Sequence, residues 1–339
     1  MSVLTDDADA QREHAELQAT LRRTQRQLAE AKRRSADLVA AIYEGARDAA
    51  LIVGKPAPVK APAKDRRRGH PEEALVHFSD WQLGKRTESY DTDVCIERVR
   101  YVVDKVRRIT DLQRKDHPIP RVTVMFGGDH IEGNNIFPGQ AYEVDSTSYA
   151  QLMAASSLMA EVVLSLLEDF DHVTVKTVPG NHGRLGRRGE MPRHDNMDNI
   201  AYAIARSHLA NQKRLTWDEN LRWWDHVQIG NYKAILVHGD QVRGWGGGST
   251  PINGLVKKAT SWAAGGGPKV EWSDIYIGHY HQNIVATLPS GGQLRMVPST
   301  ESDSEYAAEQ MAAAGRPGQR LLFVHPEKAI VTGEYMVWL

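Results

Sequence analysis

The sequence holds a single cysteine, Cys95, among 339 residues. A disulfide framework is therefore excluded, as is a zinc site built on paired thiolates, and one lone thiol fits a reducing compartment. A Gly-Lys-Ser/Thr phosphate loop, a Gly-x-Ser-x-Gly nucleophile elbow and a dinucleotide fingerprint are also missing, which removes the commonest nucleotide-binding and serine-hydrolase readings. No apolar run is read as long enough for a membrane span, and the first residues are acidic and polar, without the apolar core of a secretory signal. A cytoplasmic protein with no membrane partner is the expectation. A surplus of one charge is absent too: 42 Lys and Arg face 43 Asp and Glu, for a net charge of -1. Any nucleic-acid footprint must then be local. What is present, 41% hydrophobic and 25% charged residues, suits one large catalytic domain with an appendage.

Three segments differ in character. Residues 1–52 are rich in Ala, Leu, Arg, Gln and Glu, all good helix formers. A 4-3 spacing runs through Leu17, Leu21, Thr24, Leu28, Ala31, Ser35, Leu38 and Ile42, the seam of a coiled coil. Its middle is small or polar. It serves self-association or docking of a partner, or else forms a single helix packed on its own domain. Residues 53–71 alternate Pro and Ala with Lys, which predicts an extended, semi-rigid linker. From residue 72 to 339, strands and helices alternate. Strands are expected at 74–78, 121–126 and 173–178, with helices at 93–113, 146–167 and 195–210. Mostly strands follow, including a hairpin around Gly230-Asn231. An early βαβα run followed by β predicts an α/β fold, a mixed two-sheet sandwich flanked by helices.

Five short polar clusters fall at the ends of predicted strands, where open α/β sheets gather ligands. They are SDWQ (79–82), GGDH (127–130), GNHGR (180–184), HGD (238–240) and GHYH (278–281). Taken singly, each reads as a turn or an ordinary histidine. Together they offer Asp, Asn and His donors in the mixture that binds a pair of divalent first-row metals. Alternation along a strand would point His279 and His281 the same way while Tyr280 points elsewhere.

The order and content of these clusters resemble the calcineurin-like metallophosphoesterases, over about residues 74–298. The resemblance implies that Asp129 bridges two metals, that Asp80 and His281 hold one, and that Asn181, His238 and His279 hold the other. His182 would protonate the leaving oxygen, or stabilise charge on the phosphate, as hydroxide attacks phosphorus in line. Arg184 would pair with a non-bridging phosphate oxygen. Gln82 stands where the family usually has His, and either ligates weakly or lines the pocket. Mn²⁺ is the first expectation for both ions, with Fe²⁺, Zn²⁺ or Mg²⁺ as alternatives.

Such a site serves many phosphoesters. DNA, single- or double-stranded, is favoured by three features. The segment IEGNNIFPGQ (131–140) is similar to one in the small subunit of archaeal family-D DNA polymerases. Arg184, Arg187, Arg188 and Arg193 put cations just past a catalytic motif, as a polymeric polyanion requires. Tyr142 and Trp245, the latter in GWGGGST (244–250), offer stacking surfaces for a base, or Trp245 belongs to a plain surface loop. Trp81 and Tyr280 are expected to pack in the core. The layout around SDSEYA (302–307) and RPGQ (316–319) resembles phosphoesterases of bacteriophages, and the five motifs resemble the nuclease subunit of double-strand-break repair complexes. The expected activity is that of a DNA exonuclease or endonuclease in a bacterial host cytoplasm. A protein or small-molecule phosphatase is one alternative, and a weakly active module that binds DNA or a replication partner is the other.

Overall fold

The structure is a computed structural model. It describes residues 54–63, 65, 67–134, 136–137, 139–186, 189–242, 252–303 and 315–339, together with scattered positions between 16 and 48. The chain divides into two compact units, Met1–Ala49 and Ala50–Leu339. In the first, residues 21–27 are helical. Of the proposed heptad seam, Leu21 and Thr24 are among the described residues; Leu17, Leu28, Ala31, Ser35, Leu38 and Ile42 lie outside them.

The second unit is a mixed α/β sandwich. One sheet has the order β11-β10-β1-β2-β3-β4 and the other β5-β6-β7-β9-β8. In the first sheet β1 (Glu73–Phe78), β2 (Arg121–Phe126), β3 (His172–Thr177) and β4 (Leu215–Trp217) run parallel. The strands β10 (Gly318–His325) and β11 (Ile330–Trp338) add antiparallel at one side. In the second sheet β6 (Tyr232–Val237), β7 (Asp274–Ile277) and β9 (Gln293–Met296) are parallel, with β5 (Trp224–Ile229) and β8 (Ile284–Thr287) antiparallel at the edges. Strands buried on both faces read as continuous apolar runs, which is how residues 74–76 and 124–126 read.

The sheets meet through Leu75, Met125, Leu322 and Val324 on one side and Val227, Leu236 and Tyr276 on the other. Three helices accompany the parallel strands: α1 (Thr92–Gln113), α2 (Ser148–Asp169) and α3 (Met197–His208). Each begins on a side-chain cap, from Asp91, Thr147 and Asn196 respectively. A fourth helix, α4 (Ile252–Ser261), packs Leu255 and Ala259 against the second sheet.

Two expectations change. The helix α2 is, by length and composition, apolar enough to cross a membrane, with mean hydropathy 1.6, so the reading that no such run exists is corrected. Its window is 61% buried inside the fold, as for a core helix, against α3 and β3. The linker is extended but strapped down. Asn211 Nδ2 donates to the Pro56 carbonyl (2.7 Å), Gln212 Oε1 accepts from Val59 N (3.0 Å), and Arg214 Nη2 donates to the Val59 and Lys60 carbonyls (3.1 Å each).

Candidate metal centre

Each candidate ligand lies just past the C-terminal end of a parallel strand. Asp80 follows β1, Asp129 follows β2, and Asn181 and His182 follow β3; His238 follows β6, and His279 and His281 follow β7. The local backbone is unusual. Asp80, Gln82, Asp129, His279 and His281 all adopt left-handed φ, between 45° and 69°. Among the described residues only Asp303 and Ala329 join them as non-glycines with positive φ. A residue with a Cβ loses about 1–2 kcal/mol there, so the conformation persists only where surrounding contacts impose it. The expectation for the last motif changes accordingly. β7 stops at Ile277, and His279 and His281 reach one site through two left-handed residues, not through strand alternation. Two glycines are required by close approach: a Cβ on Gly180 would stand 2.0 Å from Asp129 Oδ1, and one on Gly278 would stand 2.3 Å from Asp80 Oδ2.

Ligand-bearing atoms of Asp129, His238 and His279 lie within 4.8 Å of one another. The tautomer of His238 follows from its other nitrogen, Nδ1, which sits 2.9 Å from the Gly127 carbonyl and donates to it. In the neutral ring Nε2 then carries a lone pair, facing Asp129 Oδ2 at 2.9 Å and Asn181 Oδ1 at 3.2 Å. In that neutral state three electron-pair donors converge: the Nε2 lone pair, a carboxylate oxygen and an amide oxygen. Asp129 Oδ2 is buried, and despite that short approach it makes no directed hydrogen bond. This donor set fits a cation. Without one, a proton takes that role: burial opposes charge on His238, but Asp129 outweighs it and pushes the imidazole up to about 9. Burial likewise opposes ionisation of Asp129, yet His238 and His182 hold its carboxyl well below the ordinary range. Burial and the neighbouring His238 push His279 down to about 4, leaving it neutral.

The other half of the site is built on Asp80. Its carboxylate accepts from the His279 backbone N–H at 3.0 Å and from Ser79 Oγ at 2.6 Å. His281 Nε2 is 3.5 Å from Asp80 Oδ1 and 3.2 Å from Gln82 Nε2, and its Nδ1 is 3.5 Å from Glu301 Oε2. The Gln82 amide therefore reaches the same pocket, beside the imidazole of His281. Gln319, from the RPGQ segment, anchors the loop below: its side chain accepts from Ser79 N (2.9 Å) and donates to the Ser79 and Pro298 carbonyls.

His182 is held at both ends. Its backbone N–H donates to Asp129 Oδ1 (2.7 Å), and ring Nδ1 lies 2.8 Å from the Glu132 carbonyl and 3.2 Å from Glu132 Oε2. Burial disfavours charge on this ring, but Glu132 and Asp129 reverse that and push it up to about 10. Glu132 is wholly buried and is approached by Gln140 Nε2 (2.9 Å) and Lys85 Nζ (3.5 Å). Sequence reasoning missed Glu132, Gln140 and Lys85. The one available signal was an acidic residue three positions after Asp129.

Arg184 Nη2 donates to Asp240 Oδ2 at 2.7 Å, and Arg193 donates to the same oxygen. Asp240 is buried and only two residues beyond His238, so the two guanidinium groups are fixed to the rim of the same loop. Arg187, Arg188 and Trp245 lie outside the described residues, as do residues 304–307 of SDSEYA. Tyr142 is 92% exposed, whereas Trp81 and Tyr280 are core residues.

No family profile matches the sequence, and no curated protein matches it. Solved structures do resemble the fold. Vacuolar protein sorting 29 from Cryptosporidium parvum is 12% identical, with a TM-score of 0.37 over 79% of this chain and 98% of that one. Vps29 of Entamoeba histolytica, solved with Zn²⁺, is 13% identical, with a TM-score of 0.33 over 78% and 98%. A phosphatase from Mycoplasma pneumoniae is 11% identical, with a TM-score of 0.32 over 80% and 94%.

Proposed function

We propose that this protein is a dinuclear-metal phosphodiesterase of the calcineurin-like type, with DNA as its substrate. The observation that carries the reading is the convergence of Asp129, His238 and His279, with ligand-bearing atoms within 4.8 Å of one another, joined by Asn181 Oδ1 at 3.2 Å from His238 Nε2 and, alongside, by Asp80 and His281 from the loops after β1 and β7. Asn181, His238 and His279 would hold one ion and Asp80 and His281 the other, with Asp129 available to both and Gln82 beside His281. Mn²⁺ suits the mixture of oxygen and imidazole donors. Bound divalent ions would neutralise phosphate charge and generate a nucleophile from water at neutral pH.

The remaining steps belong to side chains. His182, with Nδ1 engaged by Glu132, presents Nε2 and carries the proton that the leaving oxygen takes. Arg184 and Arg193, oriented by Asp240, bind phosphate oxygens flanking the scissile bond and favour a polymer over a monoester. The N-terminal helical segment is a site for self-association or a partner.

The test is a Mn²⁺-dependent digestion of end-labelled single- and double-stranded DNA alongside p-nitrophenyl phosphate esters, with His182→Ala as control. Salt-sensitive DNA cleavage that disappears in the variant supports the proposal. Preferential hydrolysis of the small ester makes the protein a phosphatase. Purified protein that binds no metal makes it a binding module.

A further inference from the structure

The first turn of α3 contains a buried carboxylate that none of the five motifs accounts for. Asp198 is completely buried. Its Oδ2 accepts from the backbone N–H of Asp129 (2.9 Å) and of Gly180 (2.8 Å), and its Oδ1 accepts from that of His130 (3.1 Å). One side chain thus joins the loop after β2 to the loop after β3. Asn196 completes the grip. Its Nδ2 donates to the Gly180 carbonyl (2.8 Å), while its Oδ1 accepts from Asp198 N (2.8 Å), and Met197 N donates to the Gly183 carbonyl (2.7 Å). Gly180 is therefore held through its N–H by Asp198 and through its C=O by Asn196.

We infer that Asp198, assisted by Asn196, is the positioning residue that sets the relative placement of Asp129 and Asn181. This rests on the metal-centre reading above. Asp129 sits in a left-handed conformation that its Cβ disfavours, and Gly180 lies against its carboxylate. The backbone bond from Asp129 N to Asp198 opposes relaxation of that strained residue. The bond from Gly180 N keeps the neighbouring loop at the distance the Asn181 side chain needs. A carboxylate suits the task because both oxygens only accept. An amide in its place would aim an N–H at a backbone N–H and leave a buried donor without a partner.

The experiment compares wild type, Asp198→Asn and Asn196→Ser. Serine keeps the helix cap but loses the bond to the Gly180 carbonyl. Two readouts are taken: amide hydrogen exchange of the metal-free proteins, and Mn²⁺ binding by calorimetry with electron paramagnetic resonance of the loaded forms. In D198N, faster exchange confined to residues 129, 130 and 180 is expected, with binding weakened about 10- to 100-fold and the exchange-coupled two-manganese spectrum replaced by that of isolated ions. N196S should shift both readouts the same way by less. Unchanged coupling and affinity in both variants overturn the inference, as does a loss of exchange protection spread over the whole domain in N196S. Should D198N not fold, N196S alone decides between these outcomes. Wild type that binds no manganese refutes the metal-centre reading instead, and the exchange data then judge the clamp alone.

Discussion

His77 should make this fold acid-sensitive by a calculable amount. It lies on β1, is completely buried, and stands edge-on to Tyr276 at 5.8 Å in the inter-sheet core. Neither ring nitrogen has a hydrogen-bond partner. Burial, reinforced by the Arg320 guanidinium, pushes its pKa down to about 3 from 6.5. As pH falls below 6.5 the unfolded chain takes up a proton that the native protein refuses. Stability therefore drops with a slope of about 1.4 kcal/mol per pH unit until pH approaches 3. Between pH 7.5 and 4.5 this single ring removes about 3 kcal/mol, a large share of an ordinary domain's stability. His77→Leu, of similar volume and without polar atoms, abolishes the effect. Urea titrations in the presence of a chelator at both pH values measure it. The stability of the variant relative to wild type should rise by about 3 kcal/mol on going to pH 4.5. Parallel stability curves for the two proteins would refute the reasoning, since every other titrating group is common to both.

Three further outcomes are expected. Asp129→Ala should abolish Mn²⁺ binding and activity, while Gln82→Ala keeps activity within about tenfold of wild type; comparable losses in DNA cleavage assays contradict this ordering. Gly180→Ala places a methyl group 2.0 Å from Asp129 Oδ1, so calorimetry should show weakened metal binding while circular dichroism stays unchanged. Arg184→Ala should raise KM for DNA more than it lowers kcat. It should also make the salt dependence of binding shallower by about one contact, read from the slope of log affinity against log salt.

Much of the architecture was legible from local pattern. The periodic valines of α1, the apolar runs of β1 and β2 and the Gly-Asn turn between β5 and β6 each encode their partners' faces within a few residues. The short β4 and the helix α4 escaped, the first because three residues carry too little periodicity and the second because it follows a glycine-rich run. The helix α2 was expected at 146–167, but its length and apolarity were under-read, and only its burial marks it as a core helix.

The candidate ligands were readable because each lies in a short motif directly behind a strand, and strand ends of parallel sheets gather on one side. Their supports were not. Asp198 reaches Asp129 from 69 residues away, and Gln319 reaches Ser79 from 240 away. The sequence by itself determined the donor types, their order along the chain and the strands that carry them. Only the tertiary structure decided that Asp129, His238 and His279 meet, that Glu132 lies against the His182 ring, and that five residues of the candidate site sit in left-handed backbone. The reason is that periodicity and turn chemistry act over a few residues, whereas buried polar atoms are satisfied by whichever partner the packed sheets bring within reach.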